Sequence, residues 1–251
     1  MSTPAEAPPS PPATRTAAAP TPLDSWLDGP LGRLLLSAES REVGAALEDV
    51  FGNQFLQIGH WGPRTTFLPF ARTPRRALVA EPQAPGDLVS HASQLAILSQ
   101  SVDAVLLPHT LEFEPEPQAV IREVDRVLVG EGHILVLGFE PLGTWVARHS
   151  LSPGGFPPGL VATLSRRRLR DWLTLLGFDV VYTRRFLHAL PLASLESTGL
   201  TRGLERLGRR LDGRLGNAYL LKARKRVYTM TPIRPRRRSL AKLVGAAAEP
   251  T

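Results

Sequence analysis

The chain has 251 residues, 43% of them apolar, and a formal net charge of +7. That length holds one sizeable hydrophobic core and is short for two full domains. It contains no cysteine, which excludes a disulfide framework, a thiolate metal site and a cysteine nucleophile together.

Residues 1–22 hold seven prolines and no aromatic residue. So little apolar surface cannot offset the ordering entropy, and a disordered N-terminus is expected. No apolar run stands behind a basic start, and no stretch approaches the ~18 apolar residues that span a bilayer. A soluble, cytoplasmic chain with no membrane span is the expectation. Pro30 suits a first helical turn, and Leu31, Leu34, Leu35, Ala38, Val43, Ala46, Leu47 and Val50 follow at roughly helical spacing, with a break near Ser40. Short apolar runs at 55–58, stopped by Gly59, at 77–80, ending at Glu81, and at 102–107, ending at Pro108-His109, read as buried parallel strands. A helix through Val120, Ile121, Val124, Val127 and Leu128 should close at Gly130, and residues 133–137 form the fourth strand. Strands separated by helix-length segments imply a parallel sheet with right-handed crossovers. Ser165 should cap a helix whose apolar face is Leu169, Trp172, Leu173 and Leu176, with Gly177 stopping it. Residues 178–182 and 217–221 read as two further strands. Residues 222–251 carry nine basic side chains against Glu249 alone, a basic tail. The expected organisation is a disordered segment 1–22, a domain over 23–226 and a disordered tail 227–251.

The block Val102-Asp103-Ala104-Val105-Leu106-Leu107-Pro108-His109-Thr110-Leu111-Glu112, followed by Ile121-Arg122-Glu123-Val124-Asp125-Arg126-Val127-Leu128, resembles the class I S-adenosylmethionine (SAM) methyltransferases, in particular the type 11 group. Leu176-Gly177-Phe178-Asp179-Val180 is similar to that family's helix-to-strand turn. Gln57-Ile58-Gly59, His109-Thr110-Leu111, Gly138-Phe139 and the Trp172 helix look like those of a bacterial group within it that has an atypical glycine loop. The resemblance implies an α/β, Rossmann-like fold, mostly a parallel sheet with helices on both faces. It also implies SAM as cofactor and a small-molecule acceptor.

In such a sheet, ligands bind beyond the carboxyl ends of the strands at the switch point of strand order. By resemblance the cofactor contacts fall on Gly59, His60, Gly62, Glu81, Leu95 and His109. Glu81 stands 22 residues after Gly59, spaced to accept hydrogen bonds from ribose hydroxyls; a solvated loop carboxylate is the plainer reading. The first loop, Leu56-Gln57-Ile58-Gly59-His60-Trp61-Gly62-Pro63, departs from the family pattern. Gln57 replaces an acid, and Trp61 replaces a glycine, so its side chain either fills cofactor space or turns outward. His91 aligns with an expected Asp. His109 could act as a general base or simply cap its turn, and no catalytic residue is assigned. Six histidines without close pairing give no metal signature. The readings are a methyltransferase acting on a small or lipid-like acceptor, a degenerate methyltransferase fold serving as an interaction module, or a nucleic-acid-associated protein drawn weakly and nonspecifically to phosphates by its basic end.

Overall fold

The computed structural model describes residues 21–63, 65–82, 84–151, 157–188 and 216–227. Of the segment 1–22 expected to be disordered, residues 1–20 lie outside them, as do the basic tail beyond 227 and most of the long connection before the last strand, whereas Thr21 and Pro22 start the first helix. The chain opens with α1 (Pro22–Leu27), started by a capping box in which Thr21 and Asp24 each bind the other's backbone. A second helix, α2 (Pro30–Leu47), has Pro30 in its first turn as expected. It runs unbroken past Ser40, whose hydroxyl donates to the Leu36 carbonyl instead of interrupting the helix.

The strands are β1 (Gln54–Ile58), β2 (Arg75–Ala80), the two-residue β3 (Leu88–Val89), β4 (Val102–Pro108), β5 (Leu128–Phe139), β6 (Phe178–Phe186) and β7 (Ala218–Lys225). They form one sheet in the order β3-β2-β1-β4-β5-β7-β6. All neighbours are parallel except β7, which runs antiparallel to both β5 and β6. Between β4 and β5 lie the short α3 (Thr110–Phe113) and α4 (Pro117–Val127); α5 (Thr144–Leu151) and α6 (Arg166–Leu175) precede β6. Among the described residues no helix is long and apolar enough to cross a membrane.

Strand alternation divides the core in two. Phe55, Leu106, Leu135 and Leu220 point into the layer filled by α1 and α2 (Leu27, Leu31, Leu35, Val43, Leu47). Leu56, Val105, Val136 and Leu221 point into the layer filled by α4 and α6 (Val120, Ile121, Val124, Leu169, Leu173). Ser165 caps α6 through the Arg168 N–H, and Gly177 follows it at φ +84.

The fold class is therefore the one the pattern implied, with two local differences. Among the described residues, the β1–β2 connection contains only a 3-10 turn at Leu68–Phe70, and no helix separates β2 from β4. Pro63, Pro69 and Pro74 break up the β1–β2 connection, and Pro82 and Pro85 stand only at the start of the segment after β2. Helix α4 also ends at Val127, and β5 begins at once because Leu128 pairs with Val102; Glu131, at φ +66, absorbs the irregularity before regular pairing resumes at His133.

Two of the family-like side chains are structural. Asp103 accepts the N–H groups of Asn53 and Gln54 (2.8 and 2.9 Å), pinning β1 to β4. Arg126 donates to the carbonyls of Leu95 and Ile97 while paired with Glu123, which itself accepts the Leu95 N–H. Lys222, fully buried in β7, donates to the Ala46 carbonyl and pairs with Asp49, which ties the end of α2 to the sheet.

Candidate functional site

From β1 the chain crosses toward β2 and β3; from β4 it crosses the other way, toward β5. The switch point therefore lies between the carboxyl ends of β1 and β4, and the residues that follow those ends are Gly59 and His109.

His109 takes a left-handed backbone, φ +57, which costs a non-glycine residue roughly 1 kcal/mol. Its ring is fully buried and donates from both nitrogens, Nδ1–H to Glu112 Oε2 and Nε2–H to Glu39 Oε1, each at 2.7 Å. Burial alone would lower its pKa. The charge of Glu39 and the hydrogen bonds to both carboxylates overcome that and raise it to about 9. Glu112 also accepts the Phe139 N–H (2.9 Å), and burial pushes its carboxyl up against the pull of His109.

Trp61 does not turn outward. It is 1% exposed, stacks on His109 with ring centroids 4.4 Å apart, and donates its Nε1–H to Glu39 Oε2 at 2.8 Å. Phe139 lies 4.2 Å from the His109 ring, and Phe113 and Trp145 extend the aromatic wall. The side chain next to Trp61 also reaches the N-terminal helices, since His60 Nε2 sits 3.0 Å from Asp24 Oδ1. Burial would raise the Asp24 pKa, but hydrogen bonds from Thr21 and the nearby His60 bring it below the usual range.

Gly59 has φ +97, and a Cβ there would stand 2.5 Å from Thr110 Oγ1, whose hydroxyl donates to the Ile58 carbonyl. Gly62 has φ +68 and meets Leu36 in the same way at 3.0 Å. Gly59→Ala should lower stability by roughly 1–3 kcal/mol through backbone strain and the Thr110 clash. A urea midpoint equal to that of the parent chain would show that the loop has room to spare.

The remaining sequence candidates form a separate rim at the end of β2. Glu81 Oε2 is 2.6 Å from His91 Nδ1, and the two side chains are 46% and 65% exposed. Glu81 Oε1 also accepts the Ala92 N–H at 3.4 Å. Glu114 lies close by, its carboxyl raised by partial burial and by the charge of Glu81. Leu95 is packed in the core layer of α4. The structure thus brings Glu81 together with His91, and His109 together with Trp61. It places Leu95 beneath the rim. Among the described residues no three His, Asp or Glu side chains are grouped to hold a metal ion.

Sequence reasoning missed Glu39, and Glu112 was noted only as part of a motif. The signal for Glu39 was present: it lies four residues from Leu35 and from Val43, within the apolar stripe of α2. A carboxylate in such a stripe is either paired or costly.

Comparison with known proteins now adds to this geometry. A family model described as a methyltransferase domain matches residues 70–136. The uncharacterized protein YafS of Escherichia coli is 30% identical over 170 residues, covering 67% of this chain and 70% of that one. An uncharacterized protein of Mycobacterium tuberculosis is 34% identical over 176 residues, and the matched part is 67% of this chain but only 61% of the mycobacterial one. Among solved structures, a SAM-dependent methyltransferase from Archaeoglobus fulgidus superposes with a TM-score of 0.56 at 16% identity, covering 77% of this chain and 94% of its own, which is a likeness of fold.

Proposed function

We propose, from the premise that this chain belongs to the class I SAM-dependent methyltransferases and takes SAM as its cofactor, that it methylates a small or lipid-like acceptor at the switch point between β1 and β4. The observation that carries this is Glu81, an accessible carboxylate at the end of β2, on the rim beside that switch point.

The residues present fit the cofactor at both ends. At the rim, Glu81 can accept from a ribose diol, with His91 beside it; Leu95 packs in the core and does not reach the rim. Near the end of β1, Gln57 Oε1 is buried without a hydrogen-bond partner among the described residues, an acceptor oxygen waiting for a donor. When bound, SAM supplies an electrophilic methyl group on a sulfonium. Gly59, His60 and Gly62 belong to the loop that follows β1, and through Trp61 that loop packs on the His109 cluster. His109, held as a cation at neutral pH, is not a base there. Transfer then rests on proximity and orientation, which well-built sites supply generously. The nucleic-acid attraction expected of the basic tail falls on residues outside the described ones.

Calorimetric titration with SAM, S-adenosylhomocysteine and NAD tests the reading. Binding of the first two but not of NAD is the expected result. Glu81→Gln should weaken both roughly 10- to 100-fold, the worth of hydrogen bonds to a charged acceptor. Unchanged affinity would remove Glu81 from the site.

A further inference from the structure

At the amino ends of β1 and β2, away from the switch point, the sheet carries an open groove of about 390 Å³, a size within the ~300–1,000 Å³ range of ligand pockets. Crossovers in a parallel sheet ordinarily lay a helix over the face they cross. Among the described residues the connection from β2 to β4 has none, and the groove lies between that connection and the two strands.

Strand register sets the chemistry of the groove. Gln54 of β1 stands beside Arg75 of β2, and two residues further on Leu56 stands beside Ala77. Alternation puts these four side chains on one face, the one on which Leu56 and Ala77 join the core layer of α4 and α6. A polar row, one guanidinium and one amide, is thus followed ~7 Å along the strands by an apolar row. Ile97, Leu98 and Leu88 add further apolar lining, with Leu98 78% and Leu88 42% exposed. The far wall is pinned in place: the Ile97 carbonyl accepts from Arg126 at 2.9 Å, and the Leu98 carbonyl from the Ser101 hydroxyl at 2.7 Å.

The polar row has nothing to bind within the fold. Among the described residues neither the Arg75 guanidinium nor the Gln54 amide has a hydrogen-bond or ion-pair partner. Arg76 turns to the other face, where it donates to the Leu68 carbonyl at 3.3 Å. Two carboxylates on neighbouring elements are used elsewhere and do not line the groove. Asp103 accepts the N–H groups of Asn53 and Gln54, and Asp87 accepts the Leu78 N–H. An exposed arginine alone is an ordinary solvated charge. Beside an amide, and with an apolar floor next to it, it makes a head-group site.

A guanidinium holds a carboxylate through two parallel N–H···O bonds, and an adjacent amide N–H can give a third. One cation suits a monoanion, and the apolar row suits a body without polar groups. The end strand β3 is only two residues long, too short an edge to recruit another chain by strand pairing. We propose that the groove is a second ligand site, for a small apolar monocarboxylate with its head on Arg75 and Gln54 and its body over Leu56, Ala77 and Ile97. The site lies at the opposite end of β1 from the proposed SAM site and does not depend on it.

Isothermal titration of the full chain at neutral pH with octanoate, 1-octanol and octylamine tests this. Octanoate should bind saturably at one site, 1-octanol at least ~10-fold more weakly for want of a charged hydrogen bond, and octylamine not at all. Arg75→Gln should weaken octanoate at least ~10-fold and leave 1-octanol within about twofold. Arg75→Lys keeps the charge without the fork and should fall between the parent chain and Arg75→Gln. Arg75 is exposed and outside the core, so both variants keep the fold. No saturable binding at millimolar octanoate overturns the proposal, as does octylamine binding equal to that of octanoate, or Arg75→Gln binding octanoate as the parent does. A parent chain that sediments as a dimer, with Leu98→Glu a monomer, would give the groove to a second copy and overturn it too.

Discussion

Glu112→Ala is expected to destabilise the fold by about 3–5 kcal/mol, the range for removing one partner of a buried charged pair. Glu112 is 1% exposed, and both its carboxylate oxygens are used, one by His109 and one by the Phe139 N–H at the end of β5. Alanine would leave a buried ring nitrogen and a buried backbone donor without acceptors. At roughly 2–4 °C per kcal/mol for a domain of this size, the melting temperature should fall by about 10 °C. Glu112→Gln keeps an acceptor for Phe139 and costs only the His109 contact, roughly 1–2 kcal/mol. Urea unfolding followed by circular dichroism measures both. Should the two variants lose the same small amount, the carboxylate is not what holds the imidazolium.

Glu112 also marks the limit of what the sequence made legible. The strands could be read because their residues follow short-range rules: apolar runs ending in Gly59, Glu81 and His109 are local patterns, and each ends where the run stops. Ser165 and Gly177 likewise set the ends of α6 by their own chemistry. The missing helix between β1 and β2 was also locally encoded, in the spacing of Pro63, Pro69 and Pro74, whereas the proline-free stretch 86–101 before β4 gives no such signal.

The candidate site was only half legible, for a physical reason. Gly59, Glu81 and His109 could be placed because they follow strand ends, and strand ends fix position at the switch point. The partners that give His109 its charge come from 70 residues earlier and three residues later. Nothing in local spacing ties Glu39 to His109; only the packing of α2 against the sheet does. The same holds for Trp61, whose side chain could have gone either way until a buried carboxylate was seen to receive its N–H. Glu81, read as a lone ribose contact, has as its partner the very His91 that departs from the family pattern, so one substitution gave the carboxylate a neighbour.

Because His109 carries a proton that its burial alone would expel, the stability of the chain should depend on pH on the alkaline side. Its value of about 9 in the folded protein stands above the ordinary 6.5. A group raised in the folded state contributes stability that is fully present below the unfolded value and is lost as pH rises through the folded one. The window is therefore about pH 6.5 to 9, and the full loss is on the order of 3 kcal/mol. Two tyrosines titrate later, with half-buried Tyr182 pushed up to about 12 and buried Tyr219 raised well above its ordinary value, both chiefly by burial, so they leave that window clear. Unfolding free energies measured at half-unit steps from pH 6.5 to 10 should fall, with most of the drop complete near pH 9.5. In His109→Gln, which has no proton to lose, the same series should be nearly flat over that range. A parent chain as stable at pH 10 as at pH 7, or a variant with the same slope, would mean that Glu39 and Glu112 are balanced by something other than an imidazolium.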